Sequence, residues 1–131
     1  MRLLLDTHVW IWLLDDPDRL SPPAAAAINA GGVGACGVSD ISAWEVARKE
    51  SLGKLSLAMA CRAWLCRAAA APGIMMLRVD PEVAWESCHL PGAFHRDPAD
   101  RIIVATARLR GLRLVTCDRK LLDYPHVETI W

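Results

Sequence analysis

Leu112-Arg113-Leu114-Val115-Thr116-Cys117-Asp118 is a short apolar run that ends in an acid, and Arg2-Leu3-Leu4-Leu5-Asp6 repeats the form at the other end of the chain. Runs of this length suit strands buried on both faces, as in a parallel sheet covered by helices. Open α/β sheets bind their ligands outside the carboxyl ends of the strands. An aspartate directly after each of two such strands therefore puts two carboxylates on one rim.

The rest of the chain alternates accordingly. Val9 to Leu14 reads as a short helix closed by Asp15-Asp16-Pro17. Ser21-Pro22 is an N-cap with proline in the first turn, opening an alanine-rich helix that Gly31-Gly32 ends. Val33 to Val38 is a second strand, and Ser39 or Asp40 caps a helix through Trp44 to about Ser51. Leu57 to Ala71 is predicted helical up to Pro72-Gly73, and Ile74 to Val79 is a third strand. Asp80-Pro81 begins a helix reaching about Cys88; Leu90 to Arg96 is a loop. From Asp97-Pro98 a helix runs to Gly111, with Ile102, Ile103, Ala105, Thr106 and Leu109 at helical spacing. Leu112 to Thr116 is the fourth strand, Arg119 to Leu122 a short helix, and Val127 to Ile130 a candidate fifth strand. Such alternation predicts an α/β sandwich with a mainly parallel sheet of four to five strands. The 131 residues fit one domain, residues 1–131, without linker or repeat.

Composition narrows the function. The formal net charge is zero, so attraction to nucleic acid has to come from local basic clusters. Five cysteines, an odd number without C-x-x-C spacing, suggest neither a disulfide framework nor a zinc site. Met1 to Leu14 has the basic start of a secretory signal, but Asp6 and His8 interrupt it and no small-residue cleavage site follows. No segment reaches the ~18 apolar residues of a membrane span. The chain reads as cytoplasmic.

Acids recur where the elements should meet. Asp6 and Asp118 end strands. Asp97 and Asp100 lie at the start of one helix, three residues apart and so on one face, and Glu45 lies near the start of the helix after the second strand. Singly, each has an ordinary reading as a cap, a turn residue or a solvated helix charge. Together on one rim they repel one another unless a cation holds them. Oxygen-only ligation suits Mg²⁺ or Mn²⁺.

Leu3-Leu4-Leu5-Asp6-Thr7-His8 and Ser42-Ala43-Trp44-Glu45-Val46 resemble the first half of PIN-domain nucleases. Asp97-Pro98-Ala99-Asp100-Arg101-Ile102-Ile103-Val104-Ala105-Thr106-Ala107 and Leu114-Val115-Thr116-Cys117-Asp118 resemble the second half. Within that family the chain looks most like the VapC-type toxins of bacterial toxin–antitoxin pairs. The resemblance implies a three-layer PIN fold and a Mg²⁺-dependent endoribonuclease that inhibits translation, leaving 5′-phosphate and 3′-hydroxyl ends. Asp6, Glu45, Asp100 and Asp118 match the family acids and are the expected catalytic metal ligands. Asp97 is a further catalytic candidate that ligates metal, orients Asp100 or caps its helix. Thr116 is expected to support Asp118 or to bind a metal water.

An acid-lined site repels RNA, so basic residues have to position the backbone; Arg48, Arg96, Arg101 and Arg119 stand nearest the acids. His8 and His95 flank Asp6 and Asp97, either touching substrate or simply hydrogen-bonded. Trp10, Trp12, Trp44 and Trp64 either stack on bases or belong to the core. The expected partners are RNA, an antitoxin segment docked in an apolar groove with a basic side chain offered to the acids, and a second copy in a homodimer.

Three other readings compete. A housekeeping PIN ribonuclease differs only in lacking an antitoxin. A phosphatase of the haloacid dehalogenase type needs an acid two residues after its nucleophilic aspartate, and His8 stands there. A noncatalytic α/β interaction module uses the same acids as caps and turns.

Overall fold

A computed structural model describes residues 2–131; Met1, which opens the stretch read for a secretory signal, lies outside the described residues. Among the described residues are five strands: β1 Leu3–Leu5, β2 Cys36–Ser39, β3 Ile74–Leu77, β4 Arg113–Val115 and β5 Thr129–Ile130. Seven α-helices accompany them: α1 Thr7–Asp15, α2 Pro22–Asn29, α3 Asp40–Ser51, α4 Cys61–Ala69, α5 Pro81–Cys88, α6 Pro98–Arg110 and α7 Arg119–Leu122. A 3-10 turn covers Pro17–Arg19.

The sheet order is β3-β2-β1-β4-β5 and every pairing is parallel. Side chains of a strand alternate between faces, and β1 shows the consequence. Leu3 and Leu5 enter one apolar cluster with Val9, Trp10, Val38, Trp64 and Val115. Leu4 enters the other with Leu77, Val83, Ile103, Val104, Leu114 and Leu121. The all-apolar strand thus builds a core on each side, and helices cover both, giving the expected three-layer α/β/α sandwich.

Local signals set most boundaries. Ser39 caps α3 by accepting the Ile41 N–H at 3.2 Å, and Ser21 caps α2 through the Ala24 N–H. Gly111, with φ 64°, supplies the left-handed turn that ends α6. Two expected elements are shorter. The second strand starts at Cys36 rather than Val33, because positive φ at Gly32 and Gly34 curls the chain before it. The helix expected from Leu57 starts at Cys61, since Asp15 accepts the Ala58 N–H at 3.0 Å and holds the preceding segment out of helical geometry. The same carboxylate accepts the Trp64 indole N–H at 2.9 Å.

The site follows from this order. The order in which strands are added reverses between β1 and β4, the place where open α/β sheets bind ligands. A helix leaving or leading to a parallel strand on a face of the sheet has one end at each rim. The N-termini of α1, α3 and α6 fall at the carboxyl rim, and their dipoles favour negative charge there.

Candidate active site

Asp6 stands where β1 ends. Its backbone N–H donates to Val115 O at 3.0 Å, so it lies directly beside the end of β4. The carboxylate is buried; Oδ1 accepts the Thr7 N–H at 2.8 Å and Oδ2 accepts the Thr116 hydroxyl at 2.7 Å. Thr116 is itself fully buried, and its oxygen accepts the Asp118 N–H at 3.0 Å. One hydroxyl thus joins the acids that follow the two neighbouring strands. Asp118 is half-buried and caps α7 by accepting the Lys120 N–H at 2.9 Å.

Glu45 reaches the same region from α3 and is also buried. The Thr7 hydroxyl donates to its Oε1 at 2.6 Å and lies 2.8 Å from Ser42 Oγ, while Lys49 stands 3.5 Å from Oε2. Asp100, in the first turn of α6, holds His95 Nε2 at 2.6 Å. Asp97 is exposed and caps α6 by accepting the Asp100 N–H at 3.0 Å. As placed it is a cap that orients Asp100.

Burial pushes the Asp6 carboxyl above its usual range and Glu45 adds to the push, while Thr116, the Thr7 amide and His8 pull it back. Burial also raises Asp100, from 3.8 to about 6; His95 opposes this, and Asp6, Asp97 and Glu45 reinforce it by repulsion. These acids therefore feel one another across the rim. Among the described residues, however, no three acidic, histidine or cysteine side chains close into a preformed metal cage. What recommends a hard divalent cation is the chemistry of the donors: carboxylate oxygens, with Asp6 and Glu45 buried and both repelling Asp100.

The expected basic residues divide. Arg48, Arg96 and Arg119 are exposed; Arg48 lies over the Trp44 ring at 5.5 Å, and Arg119 meets Asp123 at 3.5 Å. Arg101 differs. Its Nε donates to Ser87 O at 2.8 Å and its Nη1 to Phe94 O and His95 O at 3.3 and 3.2 Å. That guanidinium braces the loop bearing His95 through its Nη1. Trp10 and Trp64 are buried core residues meeting edge to face at 5.1 Å, whereas Trp44 and Trp85 are exposed.

Three features escaped sequence reasoning. Thr7 holds Glu45 from 38 positions away and its hydroxyl also meets Ser42; both stand in the quoted motifs, which do not disclose the contact between them. Arg19, stacked over Trp12 at 4.4 Å, approaches the rim from the 3-10 turn. Burial and then Asp6 push the Cys117 thiol up, and Arg19 pulls it back. An isolated arginine after Pro17-Asp18 carries no signal of this in the sequence.

Residues 3–127 match the PIN domain family, and the chain belongs to it. It is 38% identical over 131 residues to ribonuclease VapC22 of Mycobacterium tuberculosis, covering 98% of each chain. Among solved structures it is similar to DNA-bound VapBC from Salmonella typhimurium, with a TM-score of 0.71 at 18% identity over 99% of this chain and 97% of that one. FitAcB from Neisseria gonorrhoeae gives a TM-score of 0.67 at 21% identity, over 98% and 96%. At such identities the structures establish the fold alone.

Proposed function

We propose that this chain is a Mg²⁺-dependent endoribonuclease that acts as the toxin of a toxin–antitoxin pair in the cytoplasm and inhibits translation by cutting RNA. The observation that carries it is the Thr116 hydroxyl joining Asp6 to Asp118 at the switch point of the sheet, with Glu45 and Asp100 within electrostatic reach. The name of the Mycobacterium tuberculosis relative supports the ribonuclease. Structural neighbours that belong to toxin–antitoxin systems support the partner.

Asp6, Glu45, Asp100 and Asp118 would hold the cation, Mg²⁺ or alternatively Mn²⁺. When bound it supplies an activated water and neutralises the attacked phosphate. The chain does the positioning. Thr116 and the Thr7 amide keep Asp6 oriented and favour its ionised form. Thr7 fixes the Glu45 rotamer, and Asp97, by capping α6, sets the place of Asp100. Arg48, Arg96 and Arg119 hold the RNA backbone through its phosphates. No side chain here has to serve as a covalent nucleophile.

The partner reading rests on surface chemistry. A groove of about 520 Å³ lies between α1 and α4, lined by Leu14, Met59, Trp64, Ala68 and Ala71, with Asp15 and Arg67 beside it. It suits an apolar antitoxin segment. α1 leads from this groove to Asp6, nine residues or roughly 14 Å of helix. A segment seated there reaches the acids by continuing along α1, where a basic side chain blocks them. Exposed Trp44 and Leu52 favour the homodimer. Expression in a growing cell tests the whole reading: the native chain should arrest growth and Asp6→Ala should not, whereas equal arrest by both would end it.

A further inference from the structure

Beyond the acids lies a small pocket of about 240 Å³ between the loop after α5 and the end of α7. Phe94, His95, Lys120, Asp123 and Tyr124 line it. It touches the acidic rim on both sides. His95 holds Asp100 at 2.6 Å, and the Lys120 backbone N–H donates to Asp118 Oδ1 at 2.9 Å.

Its chemistry is unlike that of the rim. The Phe94 ring lies 4.3 Å from the His95 ring, tilted by 41°, and 4.6 Å from that of Tyr124, tilted by 56°, so the three rings form a faceted aromatic wall. The wall is braced from behind: Tyr124 is buried and donates its hydroxyl to Pro91 O, while Arg101 holds the Phe94 and His95 carbonyls. Phe94 and His95 nonetheless remain half-exposed. Rigid, partly exposed rings beside a cation are how proteins take up unpaired bases, by stacking on the π-face and holding the neighbouring phosphate. The other wall carries Lys120, a donor, and Asp123, which only accepts. Asp123 meets Arg119 at 3.5 Å with both side chains largely in water, a contact too weak to withhold it.

We infer that this pocket binds an unpaired nucleobase of the RNA adjoining the cleaved bond, guanine in preference to other bases. Phe94 and His95 supply the stacking surface, Lys120 contacts the adjacent phosphate, and Asp123 accepts from the ring N–H and exocyclic amine that guanine presents side by side. The assignment rests on the ribonuclease reading. It adds a specificity element outside the acids.

The test uses the intact protein in EDTA and fluorescence anisotropy with a labelled uridine heptanucleotide whose central residue is guanosine, adenosine or an abasic ribose. Wild type should bind the guanosine strand about tenfold tighter than the abasic one, the scale of one base stacked on an aromatic ring. Phe94→Leu keeps the apolar contact with Tyr124 and should reduce that advantage to under about twofold. Asp123→Asn, at an exposed position, should bring guanosine down to the level of adenosine. A full guanosine advantage in Phe94→Leu, or none in wild type, overturns the pocket. Cleavage of the same strands with Mg²⁺ separates the two readings. Base-dependent binding with no cleavage by wild type leaves the pocket standing and removes the ribonuclease; cleavage with base-independent binding does the reverse.

Discussion

The Thr116 hydroxyl donates to Asp6 Oδ2 at 2.7 Å, joining residues 110 positions apart. Because its oxygen also accepts the Asp118 N–H, the one proton of this hydroxyl has a single direction. It points at Asp6 and stabilises the carboxylate against the burial that favours the neutral acid. A threonine satisfying its own backbone would do neither.

Replacing Thr116 with valine removes that proton at nearly constant shape. Asp6 then rises further and the Asp118 N–H loses its partner. Stability should fall by about 1–3 kcal/mol in urea denaturation, the cost of an unmade hydrogen bond to a buried charge. RNA cleavage at neutral pH should fall by about tenfold or more, and Thr116→Ser should restore most of both. A valine variant with native activity would reduce Thr116 to a strand residue.

Asp100 makes stability depend on pH in an unusual direction. Its carboxyl ordinarily ionises at 3.8 and in the fold at about 6. Between those values the folded state keeps a proton that the unfolded chain has released. Stability of the metal-free protein should therefore fall as pH rises from about 4 to 6 and level off above, with Asp6 acting in the same sense. Asp100→Asn should flatten the slope and stabilise the metal-free protein at pH 7 by about 1–3 kcal/mol while abolishing cleavage. Urea titrations in EDTA at several pH values check this; an unchanged slope in the variant contradicts it.

The arginines should separate by phenotype. Alanine at Arg48, Arg96 or Arg119 should raise KM for RNA with kcat nearly unchanged, and should lower the salt slope of binding by about 1 each. Arg101→Ala instead releases two backbone carbonyls of the loop, Phe94 O and His95 O, and Ser87 O at the end of α5. It should lower the melting temperature and loosen His95, with the salt slope intact. Identical behaviour of all four would reject the division.

Much of this was legible in the sequence. Apolar runs ending in Asp6 and Asp118 locate two strands and their shared rim, because a parallel sheet buries both faces and the strand ends are where polarity returns. Caps such as Ser21, Ser39 and Asp97 locate helix starts because their side chains act within three residues. Contacts across the chain were not legible. The Thr7 hydroxyl meets Glu45 across 38 positions, and Arg101 turns onto a loop whose path only the packed fold defines. The late start of α4 has the same origin, since Asp15 intercepts the Ala58 N–H from another element.

The most direct test of the central claim is the rate of RNA cleavage over a Mg²⁺ titration, measured for wild type, Asp6→Asn and Asp118→Asn with folding verified by circular dichroism. Wild type should cleave only with the cation present and stop in EDTA. Each variant should lose roughly a hundredfold or more, the scale on which charge-stabilising groups act in a transition state. Cleavage that persists in EDTA, or that both folded variants retain, would contradict a cation-dependent carboxylate site.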